Sequence, residues 1–155
     1  MTAPERAGAE PAPAGAAGAG GEVPGGRVER VRLTPEAERL LARLIERHGP
    51  VMFHQSGGCC DGSAPMCYPR GEFRVGASDV LLGTVACGTP FWISADQYRY
   101  WSHTHLTVDV VPGRGSGFSL EAPEGVRFLL RSRLFTDEEA ARIAAEPPLP
   151  TGAGL

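Results

Sequence analysis

The sequence predicts a mainly β, α+β domain with one helix near its start, a short helix in the middle and a closing helix. Three observations predict it: short runs in which apolar and polar side chains alternate, glycine-rich turns between those runs, and helical periodicity at only three places. Short strands joined by such turns favour a compact β-sandwich with flanking helices over a doubly wound parallel sheet.

The first helix follows a short alternating strand at residues 28–33. Thr34 is a predicted N-cap and Pro35 the first helical residue, and apolar side chains then recur at i, i+3 and i+4. The Gly-Pro pair at 49–50 ends the helix. We expect this helix to cover the core and to carry no chemistry.

The rest of the chain alternates between strands and two further helices. Seven strands are predicted at residues 51–55, 72–75, 80–86, 91–93, 106–110, 118–120 and 126–133. A capping box at Ser94 and Gln97 starts the middle helix, and one at Thr136 and Glu139 starts the last helix.

The composition changes at both ends of this pattern. Residues 1–27 are mainly Ala, Gly and Pro and are expected to form a disordered tail, because they bury too little apolar surface to offset their ordering entropy. A single globular domain is predicted over residues 28–146. Residues 147–155 are expected to fray.

Composition also limits the function. A net charge of −3 argues against a nucleic-acid partner, and no run of 18 apolar residues suits a membrane span. No secretory signal is visible, so the expected compartment is the cytoplasm. The chain has no lysine, which excludes Schiff-base and pyridoxal-phosphate enzymes and P-loop nucleotide sites. The glycines at 113–117 lack dinucleotide-binding spacing and predict a hairpin turn, so no nucleotide cofactor is expected.

Three of the four cysteines lie within residues 54–68, beside glycines that let the backbone turn sharply. Thiolates suit Zn, Cu(I) or iron–sulfur centres, and imidazole suits Zn, Fe or Cu. The predicted ligands of a metal ion or iron–sulfur cluster are therefore Cys59, Cys60, Cys67, His54 and Asp61. Redox-active thiols and plain structural packing are the alternatives.

Two other groups are weaker candidates. His103 could serve as a further ligand or as a base, although nearby aromatic residues account for it equally well as polar surface. Cys87 follows a predicted buried strand and is interpreted as a small apolar side chain at the strand end. In an enzyme, Cys59 or Cys60 would be a thiolate of lowered pKa, with His54 or His103 as its base.

The segments V-R-L-T-P-E-A, S-G-G-C-C-D-G and G-S-G-F-S-L-E-A-P resemble, in this order, those of the HesB-like or A-type iron–sulfur carriers. The resemblance covers about residues 28–125 and implies the compact β-sandwich of that superfamily. Only Cys59 matches a ligand of the carriers, because their C-terminal Cys-Gly-Cys has no counterpart after Gly125. A metal would therefore need another ligand set, within residues 54–67.

The segments F-H-Q-S-G-G-C-C-D-G-S, L-L-G, W-S-H-T and G-F-S-L-E are more closely similar to a bacterial family, domain of unknown function 779, over about residues 34–137. Its members are often encoded beside aldehyde dehydrogenases, which implies a link to alcohol or aldehyde metabolism. Three hypotheses follow: a metal-binding accessory protein (Zn, Fe/iron–sulfur or Cu) for an aldehyde or alcohol dehydrogenase, a thiol-dependent redox enzyme, or a cofactor-free interaction module for such a dehydrogenase. Whether two chains share a site as a homodimer is left open.

Overall fold

The computed structural model describes residues 22–23, 27–56, 64–113 and 119–154. Its strands are β1 Glu22–Val23, β2 Arg27–Val28, β3 Val31–Leu33, β4 Val51–Gln55, β5 Met66–Pro69, β6 Val80–Val85, β7 Thr89–Ile93, β8 Thr104–Pro112 and β9 Val126–Leu134. Its helices are α1 Pro35–His48, α2 Ala95–Trp101 and α3 Asp137–Ala144, and short 3-10 turns lie at Ala86–Gly88, Ala122–Glu124 and Gly152–Gly154.

Two mixed sheets make up most of the described fold. The first has the strand order β5-β4-β7-β6, in which β4 and β7 run parallel and the two outer pairs are antiparallel. The second has the order β9-β8-β3, in which β9 is antiparallel and β3 parallel to β8. These two parallel pairs were not predicted, because residue alternation along one strand does not identify its neighbour.

The two sheets pack against each other through aromatic side chains. Phe53 on β4 meets Phe128 on β9 edge to face, with ring centroids 4.9 Å apart, and lies 5.6 Å from Phe91 on β7. All three rings are fully buried. The apolar face of α1 joins the same core through Ala37, Leu40, Leu41 and Leu44.

The ends of α1 confirm the predicted capping residues. Thr34 Oγ1 accepts a hydrogen bond from the Ala37 N–H at 3.1 Å, which satisfies one of the free donors of the first turn. Gly49 has a φ of 83° and donates its N–H to the Ile45 carbonyl. A side chain at this left-handed position would be strained, so glycine ends the helix at low cost.

The contacts divide the described residues into two compact units. The larger comprises residues 30–135 and 147–154 and contains both mixed sheets. The smaller comprises residues 22–23, 27–29 and 136–146, so the segment 28–146, predicted as a single domain, contributes to both units.

The smaller unit contains the β1–β2 hairpin and α3. The Val28 N–H donates to the Glu146 carboxylate at 2.6 Å, and Thr136 and Glu139 form the predicted capping box. Part of the predicted tail 1–27 is therefore paired in a hairpin, while residues 1–21 and 24–26 lie outside the described residues.

Several sequence predictions need correction. Residues 72–75 form a turn, a bend and irregular loop rather than a strand, and Ser119 and Leu120 lie in a bend and a turn rather than in a strand. Strand β5 was not predicted, because three of its four residues belong to the cysteine-rich segment 54–68 and the fourth is a proline. Residues 149–154, expected to fray, are bound to the start of β6, where Leu81 donates to the Pro150 carbonyl at 2.9 Å.

The predicted α+β class, with three helices, is confirmed by these elements. The correspondence with the HesB-like sandwich stays a prediction. Among the described residues, no helix has the length and apolar character needed to cross a membrane.

Candidate functional site

His54 lies near the end of β4, on the face of the first sheet that points away from the Phe53 core. Successive side chains of a strand point to opposite faces, so Phe53 and His54 must diverge. His54 pairs in register with Met66 on β5 and Trp92 on β7. Only 4% of its surface is exposed, so the imidazole is largely withdrawn from water.

Both imidazole nitrogens of His54 have hydrogen-bond partners. Nε2 lies 2.8 Å from Asp79 Oδ2, and Nδ1 lies 2.8 Å from Ser56 Oγ. A carboxylate can only accept hydrogen bonds, so Nε2 carries the proton and, in the neutral ring, Nδ1 keeps its lone pair. That lone pair faces Ser56, the last described residue before 57–63.

Asp79 is held by its own loop. Its Oδ2 also accepts the Gly76 N–H at 2.9 Å, and its backbone N–H donates to the Gly76 carbonyl at 3.1 Å. These bonds place the carboxylate just before β6, over the face that carries His54. Asp79 was not predicted as a site residue, because it lies 25 residues after His54 and no short-range spacing connects the two.

An aromatic wall completes one side of the site. The Phe73 ring lies 4.5 Å from the His54 ring and stacks on Tyr68, with centroids 4.6 Å apart. The loop over residues 72–75 thus covers the imidazole rather than extending a sheet. We call His54, Ser56, Phe73 and Asp79 the His54 site.

Cys67 does not join the His54 site. It pairs in register with Phe53 and is fully buried in the core, so its side chain points to the face opposite His54. Burial raises the pKa of the Cys67 thiol, and the charge of Glu121 raises it further. The predicted convergence of Cys67 with His54 is therefore corrected. Met66 lies opposite His54 and shares its sheet face, and Cys67 is the next residue along β5, so its side chain points to the other face.

Glu121 and Ser119 form a second buried polar group, which the sequence did not indicate. Ser119 Oγ accepts the Cys67 N–H at 2.8 Å and donates to the Glu121 carboxylate. The Leu120 N–H donates to the Cys67 carbonyl at 3.0 Å, so this turn pairs with the outer side of β5, the last strand in the sheet order β5-β4-β7-β6. Desolvation by burial raises the pKa of Glu121, against the lowering effect of hydrogen bonds from Ser119 and the Phe128 N–H.

Cys59, Cys60 and Asp61 lie outside the described residues, between Ser56 and Ala64. Their predicted role as ligands stays a prediction. Within the part of the chain that the structure describes, no group of three or more His, Cys, Asp or Glu side chains is arranged to hold a metal ion.

The two remaining candidates occupy other parts of the larger unit. His103 is exposed and precedes β8 in the second sheet, where its carbonyl accepts the Phe135 N–H. His105, two residues later, is buried within β8. Cys87 is exposed in the turn between β6 and β7, with a φ of 62°, which corrects its interpretation as an apolar side chain at a strand end.

Alkylation should distinguish the two described cysteines. We expect iodoacetamide at pH 8 to modify Cys87 in the folded protein and to leave Cys67 unmodified, because the thiolate is the nucleophile and Cys67 is buried with a raised pKa. Peptide mapping by mass spectrometry measures both sites, and unfolding in guanidinium should make them equally reactive. Modification of Cys67 at the rate of Cys87 would contradict its placement in the core.

Comparison with protein families identifies a family for this chain. The model of the family described as domain of unknown function (DUF779) matches residues 40–134, which include both mixed sheets except β3. Searches of curated proteins and of solved structures find no significant match.

Proposed function

We propose that this chain, which belongs to the DUF779 family, binds a thiophilic metal ion through His54 together with the thiolates of Cys59 and Cys60. Asp79 orients the imidazole, and the bound ion serves an accessory role rather than a catalytic one. Asp61 is a further candidate ligand from the same segment.

The hydrogen bond between His54 Nε2 and Asp79 Oδ2 is the observation that carries this proposal. Histidines that bind metals nearly always donate their other ring N–H to a carboxylate, a carbonyl or water, which fixes the tautomer and raises the basicity of the ligating nitrogen. Here that bond leaves Nδ1 as the donor atom. Ser56 Oγ, now 2.8 Å from Nδ1, would give way to the ion.

The sequence around His54 supplies the other ligands. Cys59 follows His54 by five residues and Cys60 by six, and thiolate with imidazole is a donor set for Zn or Cu and for some iron–sulfur centres. Cys67 is left out of the proposed set because it faces the core. His103 is left out because it precedes a strand of the other sheet.

Metal analysis of protein purified without oxygen tests the proposal. We expect the wild type to hold a stoichiometric metal ion. Cys59→Ser, Cys60→Ser and His54→Ala should each reduce the metal content several-fold, because each removes a donor atom. Asp79→Asn should lower the affinity about 10–100-fold while leaving some metal bound, since it alters the orientation of a ligand rather than removing one.

His103→Asn is the matched control, because it removes an imidazole at an exposed position. It should hold as much metal as the wild type. A wild-type protein free of metal, or full metal content in both cysteine variants, would overturn the proposal.

The hydrogen bond between His54 and Asp79 also favours a second function, that of a thiol-dependent redox enzyme. Ser56, His54 and Asp79 form a chain of hydrogen bonds in which a carboxylate orients a base, and a thiol placed at Nδ1 could lose its proton to that base. In this case, Cys59 or Cys60 in metal-free protein should react with iodoacetamide well below pH 8, and His54→Ala should abolish that reactivity. Ordinary thiol reactivity in the metal-free wild type would exclude this function.

Two finer proposals rest on family resemblance alone. One is that the two sheets are arranged as in the HesB-like carriers. The other is that the client of the metal site is an aldehyde or alcohol dehydrogenase in the cytoplasm. Co-purification of the tagged chain with such a dehydrogenase, compared between the wild type and Cys59→Ser, tests the second.

A further inference from the structure

We propose that the C-terminal strap, residues 149–154, positions His54 through Asp79, so that docking or release of the strap regulates the affinity of the His54 site. The inference deepens the proposed metal-binding function and rests on it for the nature of the ligand. The positioning itself rests on contacts within the larger unit alone.

Backbone hydrogen bonds attach the strap to the loop that carries Asp79. The Gly152 N–H donates to the Asp79 carbonyl at 2.9 Å, and the Ala153 N–H donates to the Ala77 carbonyl at 3.0 Å. On the other side of Asp79, Leu81 donates to the Pro150 carbonyl at 2.9 Å. The strap therefore binds the backbone before, at and after Asp79.

Two further contacts seat the strap. Thr151 forms an isolated antiparallel bridge with Val80, the first residue of β6. Leu149 packs against the apolar core that both sheets share. The strap is thus anchored at one end by an apolar side chain, and its main-chain groups act as a short added strand beside the Asp79 loop.

Gly152 allows the closest approach in this contact. A Cβ added there would overlap the Gly76 carbonyl oxygen and lie 2.8 Å from the Gly76 carbonyl carbon. These are backbone atoms, so an alanine could be accommodated only by moving the strap away from the loop. Gly154 is a second glycine of the same turn, but nothing lies within 4 Å of the Cβ that an alanine would place there.

Gly76 connects this contact directly to the imidazole. Its N–H donates to Asp79 Oδ2, the same oxygen that accepts the hydrogen bond from His54 Nε2. A displacement of Gly76 therefore moves a donor to the carboxylate, and a displacement of Asp79 breaks the bond that sets the His54 tautomer. The strap acts on the site through two residues and touches no proposed ligand.

Nuclear magnetic resonance of the metal-free protein tests the positioning. In the wild type at a fixed pH near 8, the imidazole ¹H–¹⁵N spectrum should show His54 as the Nε2–H tautomer. In Gly152→Ala we expect the two ring ¹⁵N shifts of His54 to move toward the average of exchanging tautomers. In Gly154→Ala they should stay at the wild-type values.

Metal titration of the same three proteins tests the regulation. We expect Gly152→Ala to bind Zn²⁺ about tenfold or more weakly than the wild type and Gly154→Ala to match the wild type, as expected when a group that orients a ligand is lost. A chain that ends at Thr151 lacks the donors of Gly152 and Ala153 but keeps Leu149. It should bind Zn²⁺ as weakly as Gly152→Ala does, so the inference can still be tested if the alanine variant does not fold.

The outcomes separate this inference from the proposed function. Unchanged His54 shifts in Gly152→Ala and in the truncated chain would overturn the positioning, whatever metal the protein holds. A wild type that binds no metal would overturn the proposed function and the regulation of affinity, while the imidazole shifts would still decide whether the strap positions His54. Equal weakening in Gly152→Ala and Gly154→Ala would also overturn the inference.

Discussion

Replacing Phe53 with alanine is expected to lower the free energy of unfolding by about 3–5 kcal/mol. Phe53 is fully buried and is the side chain through which β4 of one sheet meets β9 of the other. Its removal loses the burial of a whole ring. It also leaves a cavity between the two sheets, which the surrounding side chains can fill only in part. Urea denaturation followed by circular dichroism measures the loss.

Two companion variants make this test specific. Phe53→Leu keeps much of the buried volume and should lose clearly less than the alanine variant. Tyr100→Ala removes an aromatic side chain that is 74% exposed and should stay within about 0.5 kcal/mol of the wild type. Equal losses in Phe53→Ala and Tyr100→Ala would contradict the packing of the two sheets through Phe53.

Replacing Glu121 with alanine is expected to lower the free energy of unfolding by about 3 kcal/mol. The carboxylate accepts hydrogen bonds from the Ser119 hydroxyl and the Phe128 N–H. Alanine leaves these groups without their acceptor, at about 1–3 kcal/mol for each buried group. Because Ser119 in turn accepts the Cys67 N–H, the loss extends to the edge of β5. Urea denaturation near pH 7 measures it, and Glu121→Gln, which keeps one acceptor oxygen, should lose less.

The raised pKa of Glu121 also predicts the sign of a pH dependence. Its pKa is raised chiefly by desolvation and also by the charge of Glu124. Below the unfolded value of about 4.3 the carboxyl is protonated in both states, and its contribution to stability is fully present. As the pH rises above that value, the unfolded chain releases the proton first, so the contribution falls until the pH has passed the folded pKa.

Comparison with Glu121→Gln isolates this effect, because the amide does not titrate. The stability of the wild type relative to Glu121→Gln should decrease from pH 4 upward, by about 1.4 kcal/mol for each unit by which the pKa is raised, and then level off. Cys67 faces the same carboxylate but its pKa is raised, so it stays a neutral thiol over this range. A relative stability that increases with pH would show that hydrogen bonding, and not desolvation, dominates at Glu121.

Local sequence signals were sufficient for the helices and for most strands. The helix caps at Thr34 and Thr136 depend on short-range contacts, in which a side-chain oxygen accepts a hydrogen bond from the N–H three residues later. Both caps are present in the structure as predicted. Apolar runs and residue alternation likewise identified β4, β6, β7, β8 and β9 to within a few residues. His54 could be singled out as a candidate because it adjoins a segment rich in glycine and cysteine.

Which candidates can act together depends on the pairing of strands and loops in the folded chain. Spacing in sequence placed His54 and Cys67 in one site, but the register of β4 and β5 pairs Cys67 with Phe53, and the alternation of side chains then sends it to the core. Likewise, only folding brings Asp79 to His54 and Gly152 to Gly76, across 25 and 76 residues. Local patterns in the sequence specify the secondary-structure elements and the residue types available for chemistry. The partners of His54 depend on pairing between distant segments, for which a single sequence carries no local signal.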